Sequence, residues 1–162
     1  MSCGPPVASL KIVSGGQTGA DRGALLAALR AGLACGGWCP DGRLAEDGRV
    51  PDEFPLTELP GAGYAERTRQ NVIDSDGTVI FFRPPLASGS LFTKQAAVAL
   101  GKPVLLIDAS RTSRAHAAKR LAAFARRNKI ATLNVAGPRA SDWPGAQAWV
   151  QSAVSQTLSH LL

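Results

Sequence analysis

Ile12-Val13-Ser14-Gly15-Gly16-Gln17-Thr18-Gly19-Ala20-Asp21-Arg22 is the stretch on which the fold turns. Ile12 and Val13 close the run from Leu10, a short apolar segment that predicts a buried strand. From Arg22, Leu25, Leu26 and Leu29 fall on one side of a helix that runs to Ala31, with Gly32 as its C-cap. Glycines between a strand and a helix let the backbone reach positive φ and let a ligand approach the main chain. The helix start adds unpaired N–H groups and the positive end of a dipole. Thr18 contributes a hydroxyl and Gln17 an amide. Gly15, Gly16, Gln17, Thr18 and Gly19 therefore read as a cradle for an anionic, phosphate-bearing small molecule, against the alternative of a tight turn that holds nothing. Asp21 reads as a partner for the helix dipole, with no case for it as a general base. The order Gly-Gly-x-x-Gly is neither Gly-x-Gly-x-x-Gly nor a P-loop, and Asp41, about 20 residues on, is weak evidence for a dinucleotide.

Downstream, strands and helices alternate. Ala34–Trp38 is a weak strand, followed by a long polar loop to Pro55 whose length suggests function. Phe54–Leu59 holds a short third strand. Tyr64–Ile73 predicts a helix, and Thr78–Phe82 is apolar enough for a central parallel strand. A loop from Arg83 to Ser90 leads to a helix over Leu91–Leu100. Val104–Ile107, Ser113–Asn128, Ala131–Val135 and Gly145–Leu161 predict strand, helix, strand, helix. This pattern predicts an α/β fold: a doubly wound, mainly parallel Rossmann-like sheet of about six strands, order 3-2-1-4-5-6, with helices on both faces. Residues 1–9 read as a loose lead-in and 10–162 as one domain. In that order the ligand crevice lies between strands 1 and 4, where the Gly15–Gly19 turn and the Arg83–Ser90 loop meet.

Ser88-Gly89-Ser90 with Thr93 forms a second helix start carrying hydroxyls. Capping and ligand binding weigh about equally there. Arg67 and Asn71 share one helix face with Tyr64, and they point to the crevice or, by default, to solvent. Acids in the long loop (Asp41, Glu46, Asp47, Asp52 and Glu53) read as solvated. Neither His116 nor His160 lies near a candidate loop, so no nucleophile and base pair emerges, and no reaction is expected.

Composition narrows the class. The 162 residues are 45% hydrophobic and 19% charged, which argues for a globular chain. The net charge of +6 favours an anionic partner. No apolar run nears the ~20 residues that span a bilayer, and Met1–Pro6 lacks the pattern of a signal peptide, so a cytoplasmic protein is expected. Cys3, Cys35 and Cys39 are an odd set with no second pair, so neither a disulfide framework nor a structural metal is expected. The helix over Ser113–Asn128 carries Lys119, Arg120, Arg126 and Arg127, but Leu121, Phe124 and Ala125 form its apolar stripe. With little aromatic interleaving, the basic face reads as solvated and nucleic acid is not expected as a partner.

Taken together, the blocks Ile12–Arg22, Gly36–Pro40, Gly42-Arg43, Ala45–Gly48, Tyr64, Arg67-Thr68, Asn71, Asp74–Thr78, Gly101–Pro103 and Asn134–Arg139 resemble the molybdenum carrier (molybdenum cofactor carrier protein) family, part of a Rossmann-like nucleotide-sensing superfamily. The resemblance implies a homo-oligomeric (dimeric or tetrameric) carrier or storage protein rather than an enzyme. Its bound cargo would be the molybdenum cofactor, molybdopterin, a phosphorylated pterin, and its partners would be molybdoenzymes or cofactor-synthesis proteins. Carried onto this chain, the binding parts are Gly15 to Gly19 together with Gly89, Ser90 and Thr93. The second loop departs from the family pattern of paired glycines, being Ser88-Gly89-Ser90. The alternative is a nucleotide-binding or nucleotide-hydrolysing enzyme of the same superfamily. The motif Pro-Gly-Gly-x-Gly-Thr-x-x-Glu of its phosphoribohydrolase-type members is missing.

Overall fold

The computed structural model describes residues 10–161, so the expectation of a loose lead-in over residues 1–9 lies outside the described residues. Five parallel strands form the central sheet: β1 (Lys11–Val13), β2 (Cys35–Gly36), β7 (Gly77–Phe82), β8 (Val104–Asp108) and β9 (Thr132–Ala136). Their order is β2-β1-β9-β7-β8. This corrects the expected six strands in order 3-2-1-4-5-6. The α/β class and the parallel sheet stand, but the last strand lies in the middle, between β1 and β7. Ile12 is in register with Leu133, and Val79 with Val135.

The third expected strand leaves the sheet. Gly37, at φ 120°, breaks the weak run at 34–38 in two. Its second part, β3 (Trp38–Pro40), pairs in parallel with β6 (Thr57–Leu59) as a separate two-stranded ribbon. Between these strands a short 3-10 turn (Asp41–Arg43) leads into the antiparallel hairpin β4 (Leu44–Ala45) and β5 (Gly48–Arg49). The long loop is held by the buried Arg43 guanidinium, which donates to the carbonyls of Val50, Pro51, Phe54 and Leu56. Arg43 thus satisfies backbone acceptors that a buried loop otherwise strands.

Side chains alternate across the strands. Ile12, Val79, Phe81, Ile107, Leu133 and Val135 pack under three helices, α1 (Ala20–Arg30), α4 (Arg114–Arg127) and α5 (Ala146–Leu161). The residues of opposite parity, Thr78, Ile80 and Asn134, are also buried. They belong to the face served by α2 (Tyr64–Ile73) and α3 (Ser88–Ala99), which contact each other. Helix α3 begins three residues before the expected Leu91. Its N-cap is Ala87, without a side-chain cap, so neither Ser88 nor Ser90 caps the helix. No helix among the described residues is long and apolar enough to cross a membrane.

Candidate functional site

At the C-terminal ends of the central strands lies a cavity of about 710 Å³, within the ~300–1,000 Å³ usual for a small-molecule site. Four segments wall it: the turn after β1, the face of α2 that carries Tyr64, Arg67, Thr68 and Asn71, the first turns of α3, and the end of β9 with its following loop. The two suspected loops do share one cavity, but the end of β9 comes between them. Of the residues named from sequence, Gly15, Gln17, Arg67, Asn71, Gly89, Ser90 and Thr93 line it. Gly16, Thr18 and Gly19 do not.

The glycine turn is stitched to its own surroundings. Gly16 N–H donates to Ser14 Oγ, Gln17 N–H to Asp21 Oδ2 at 3.1 Å, and Ala20 N–H to the Pro138 carbonyl at 3.0 Å. The Gln17 amide holds the hairpin, donating to the Leu44 carbonyl and accepting from Glu46 N–H. The Thr18 hydroxyl donates to Glu46 and accepts from Ala140 N–H. What the turn offers the cavity is mainly the bare surface of Gly15. A Cβ there would stand 1.4 Å from Arg67 Nη1, so the missing side chain is what lets the guanidinium lie on the turn.

Arg67 is not a solvated residue. It is 8% exposed, and its Nη1 lies 3.6 Å from Asp21 Oδ2. Its Nε is buried with no hydrogen-bond partner, the only such side-chain atom among the described residues. Burial lowers the Arg67 pKa from the usual arginine value, against the pull of Asp21. Burial likewise raises Asp21 above the usual carboxylate value, opposed first by Arg67 and then by the Gln17 N–H. Asn71 is also buried and lines the cavity, and its amide clamps one backbone position: Oδ1 accepts from Trp38 N–H at 2.8 Å and Nδ2 donates to the Trp38 carbonyl at 3.0 Å, which ties α2 to β3 and leaves one amide N–H and one oxygen lone pair unassigned.

The α3 wall is the open one. Nothing lies within 4 Å of a Cβ built on Gly89. Thr93 donates back to the Gly89 carbonyl, and its hydroxyl is thereby fixed. The first N–H groups of α3 have no side-chain cap, and they sit where a helix start attracts an anion.

Asn134, Arg139, Ser141 and Asp142, with Phe92 on α3, line the cavity without having been assigned to a site from the sequence, and Asp21, read there as a partner for the helix dipole, lines it too. Asn134 is a polar residue inside the apolar strand Thr132–Ala136, a signal present in the sequence; it donates to Thr78 Oγ1. Arg139 lies over the Tyr64 ring at 4.6 Å from its centroid, with Arg67 on the same ring at 5.8 Å. Glu46 and Asp47 are not simply solvated acids either. Asp47 takes a two-pronged contact from Arg22 at 2.6 and 2.8 Å. Among the described residues, no group of three or more His, Cys, Asp or Glu gathers as a metal site.

Residues 12–158 match the model of a family described as the circularly permutated YpsA SLOG family. Among solved structures, the chain is similar to one named "Putative molybdenum carrier protein" from Syntrophus aciditrophicus SB. The two are 44% identical with a TM-score of 0.89, over 91% of this chain and 94% of that one. No curated protein matches the chain.

Proposed function

The chain belongs to the circularly permutated YpsA SLOG family, and we propose that it is a carrier or storage protein whose cargo is the molybdenum cofactor, bound through its phosphorylated pterin. The observation that carries the reading is the cavity over the central strands, walled by two arginines, Arg67 and Arg139. The cavity's chemistry fits such a cargo. Arg67, Arg139 and the first turn of α3 provide for a phosphate, Phe92 provides a ring face, and Asn134 and the hydroxyls of Ser88 and Ser90 provide for polar ring edges. The name of the 44% identical relative points the same way. In this reading Gly15 supports the site by making room for Arg67, while Thr18 and Gln17 brace its walls. A homo-oligomer in the cytoplasm that hands its cargo to molybdoenzymes belongs to the same proposal.

The test is extraction. Protein purified from cells that make molybdopterin is denatured and oxidised, and the extract is read for fluorescent pterin. Pterin at a fixed ratio to chain supports the reading; none after reconstitution removes it. A second reading, a nucleotide-binding or nucleotide-hydrolysing enzyme, draws support from Asp21, a buried carboxyl in the cavity lining whose pKa burial raises. Turnover of a nucleoside monophosphate that disappears in Asp21→Asn would favour it.

A further inference from the structure

The loop after β9 brings Arg139, Ser141 and Asp142 to the cavity wall, but its fastening lies elsewhere. The base of the loop is tied to α1 by the bond from Ala20 N–H to the Pro138 carbonyl. Arg139 rests on the Tyr64 ring and Trp143 on Trp149, and the polar fastening of the outer part runs through one exposed side chain on the hairpin, Glu46. Glu46 Oε2 accepts from the Ser141 hydroxyl at 2.6 Å, and Oε1 accepts from Ser141 N–H at 3.2 Å and from the Thr18 hydroxyl. Thr18 Oγ1 in turn accepts from Ala140 N–H at 3.1 Å. The hairpin is anchored independently, by the Gln17 amide and the Arg22–Asp47 pair.

Neither Glu46 nor Thr18 lines the cavity, yet the segment they hold carries one of its two arginines. Hydrogen bonds to a carboxylate are roughly twice as strong as neutral ones, so the network is firm while it is made. It is also exposed to water, which replaces its donors readily, and local opening is easiest where bonds are solvent-exposed. The base of the loop, in contrast, is joined by a backbone bond, from Ala20 N–H to the Pro138 carbonyl. We infer that Glu46 is a positioning residue that holds the Arg139 wall against bound cargo, and that cargo leaves when the Glu46–Thr18–Ser141 network opens. This rests on the cavity being the ligand site.

Two variants break the network at different members, Glu46→Ala and Thr18→Val, and Thr18→Ser preserves it. Amide hydrogen exchange at Ala140 and Ser141 is expected to speed at least tenfold in the first two and to stay unchanged in Thr18→Ser, with Leu133 and Val135 of β9 unaffected throughout. Release of molybdopterin loaded on the full chain is expected to speed at least fivefold in the same two variants, with no further gain in the double variant. Should Glu46→Ala fail to fold, Thr18→Val against Thr18→Ser carries the comparison. Unchanged exchange overturns the inference, and so does faster exchange with unchanged release. A wild-type chain that never holds molybdopterin overturns the carrier reading instead, and the exchange rates then decide the network by themselves.

Discussion

Arg67 Nη1 stands 3.6 Å from Asp21 Oδ2, and each side chain is only 9% exposed. The pair joins α2 to the start of α1 across the floor of the cavity. Removing one member leaves the other buried without its countercharge, which costs about 3–5 kcal/mol. Arg67→Met is therefore expected to lower unfolding stability by about that much in a urea titration. Asp21→Asn combined with Arg67→Met is expected to recover part of the loss. A single variant as stable as the wild type would mean that the pair is not closed in solution.

Gly15 and Arg67 are expected to be coupled. The Cβ of Gly15→Ala collides with the Arg67 guanidinium, so the substitution alone costs about 1–3 kcal/mol, in the range of an overpacked interior. In an Arg67→Ala background the collision is absent, and the same change is expected to cost much less. Equal costs in the two backgrounds would show that the guanidinium does not lie on the turn.

Asn71→Ala removes both bonds to the Trp38 backbone. Each unsatisfied backbone group costs about 1–3 kcal/mol when buried, and loss of the clamp frees β3 from α2. The checks are denaturant unfolding together with the tryptophan emission maximum. A red shift with lost stability is expected, since Trp38 is half-buried beside this clamp. A loss of ligand affinity with stability unchanged would instead make Asn71 a ligand contact.

The hairpin network carries a pH signature. The Ser141 and Thr18 hydroxyls hold Glu46 below its usual value, with Arg139 adding to them, and the Arg22 guanidinium does the same for Asp47. A carboxylate depressed in the folded state stabilises it above the unfolded-state pKa, and that stability is lost as pH falls through the folded value. Hydrogen exchange at Ala140 and Ser141, corrected for intrinsic rates, is expected to show falling protection as pH drops below about 4, where free carboxylates titrate. Glu46→Gln is expected to flatten this dependence. A profile identical in the variant would assign the effect to another group.

The sequence made the βα alternation, the glycine turn and the helix at 64–73 legible because each rests on local signals: β-branched runs, glycine, and 3.6-residue spacing. Strand order was not legible. Nothing within Thr132–Ala136 distinguishes an edge strand from the central one; its position follows from α5 packing against both α1 and α4. That packing needs Gly23, where a Cβ would sit 2.5 Å from the Gln147 carbonyl, a contact between residues far apart in the chain. The site was half legible for the same reason. Arg67 and Asn71 look like a solvated helix face until Gly15 and Trp38 are brought against them. Thr18 looks like a ligand donor until Glu46 and Ala140 occupy its hydroxyl.

Whether the cavity over the strand ends holds a phosphorylated pterin can be read from a native mass spectrum of the intact protein purified from cells that make molybdopterin. The expected spectrum shows a mass increment of one phosphorylated pterin per chain, reduced or absent in Arg67→Ala at unchanged oligomeric state. A spectrum of bare protein after loading, or an increment matching a nucleotide, would contradict the carrier reading.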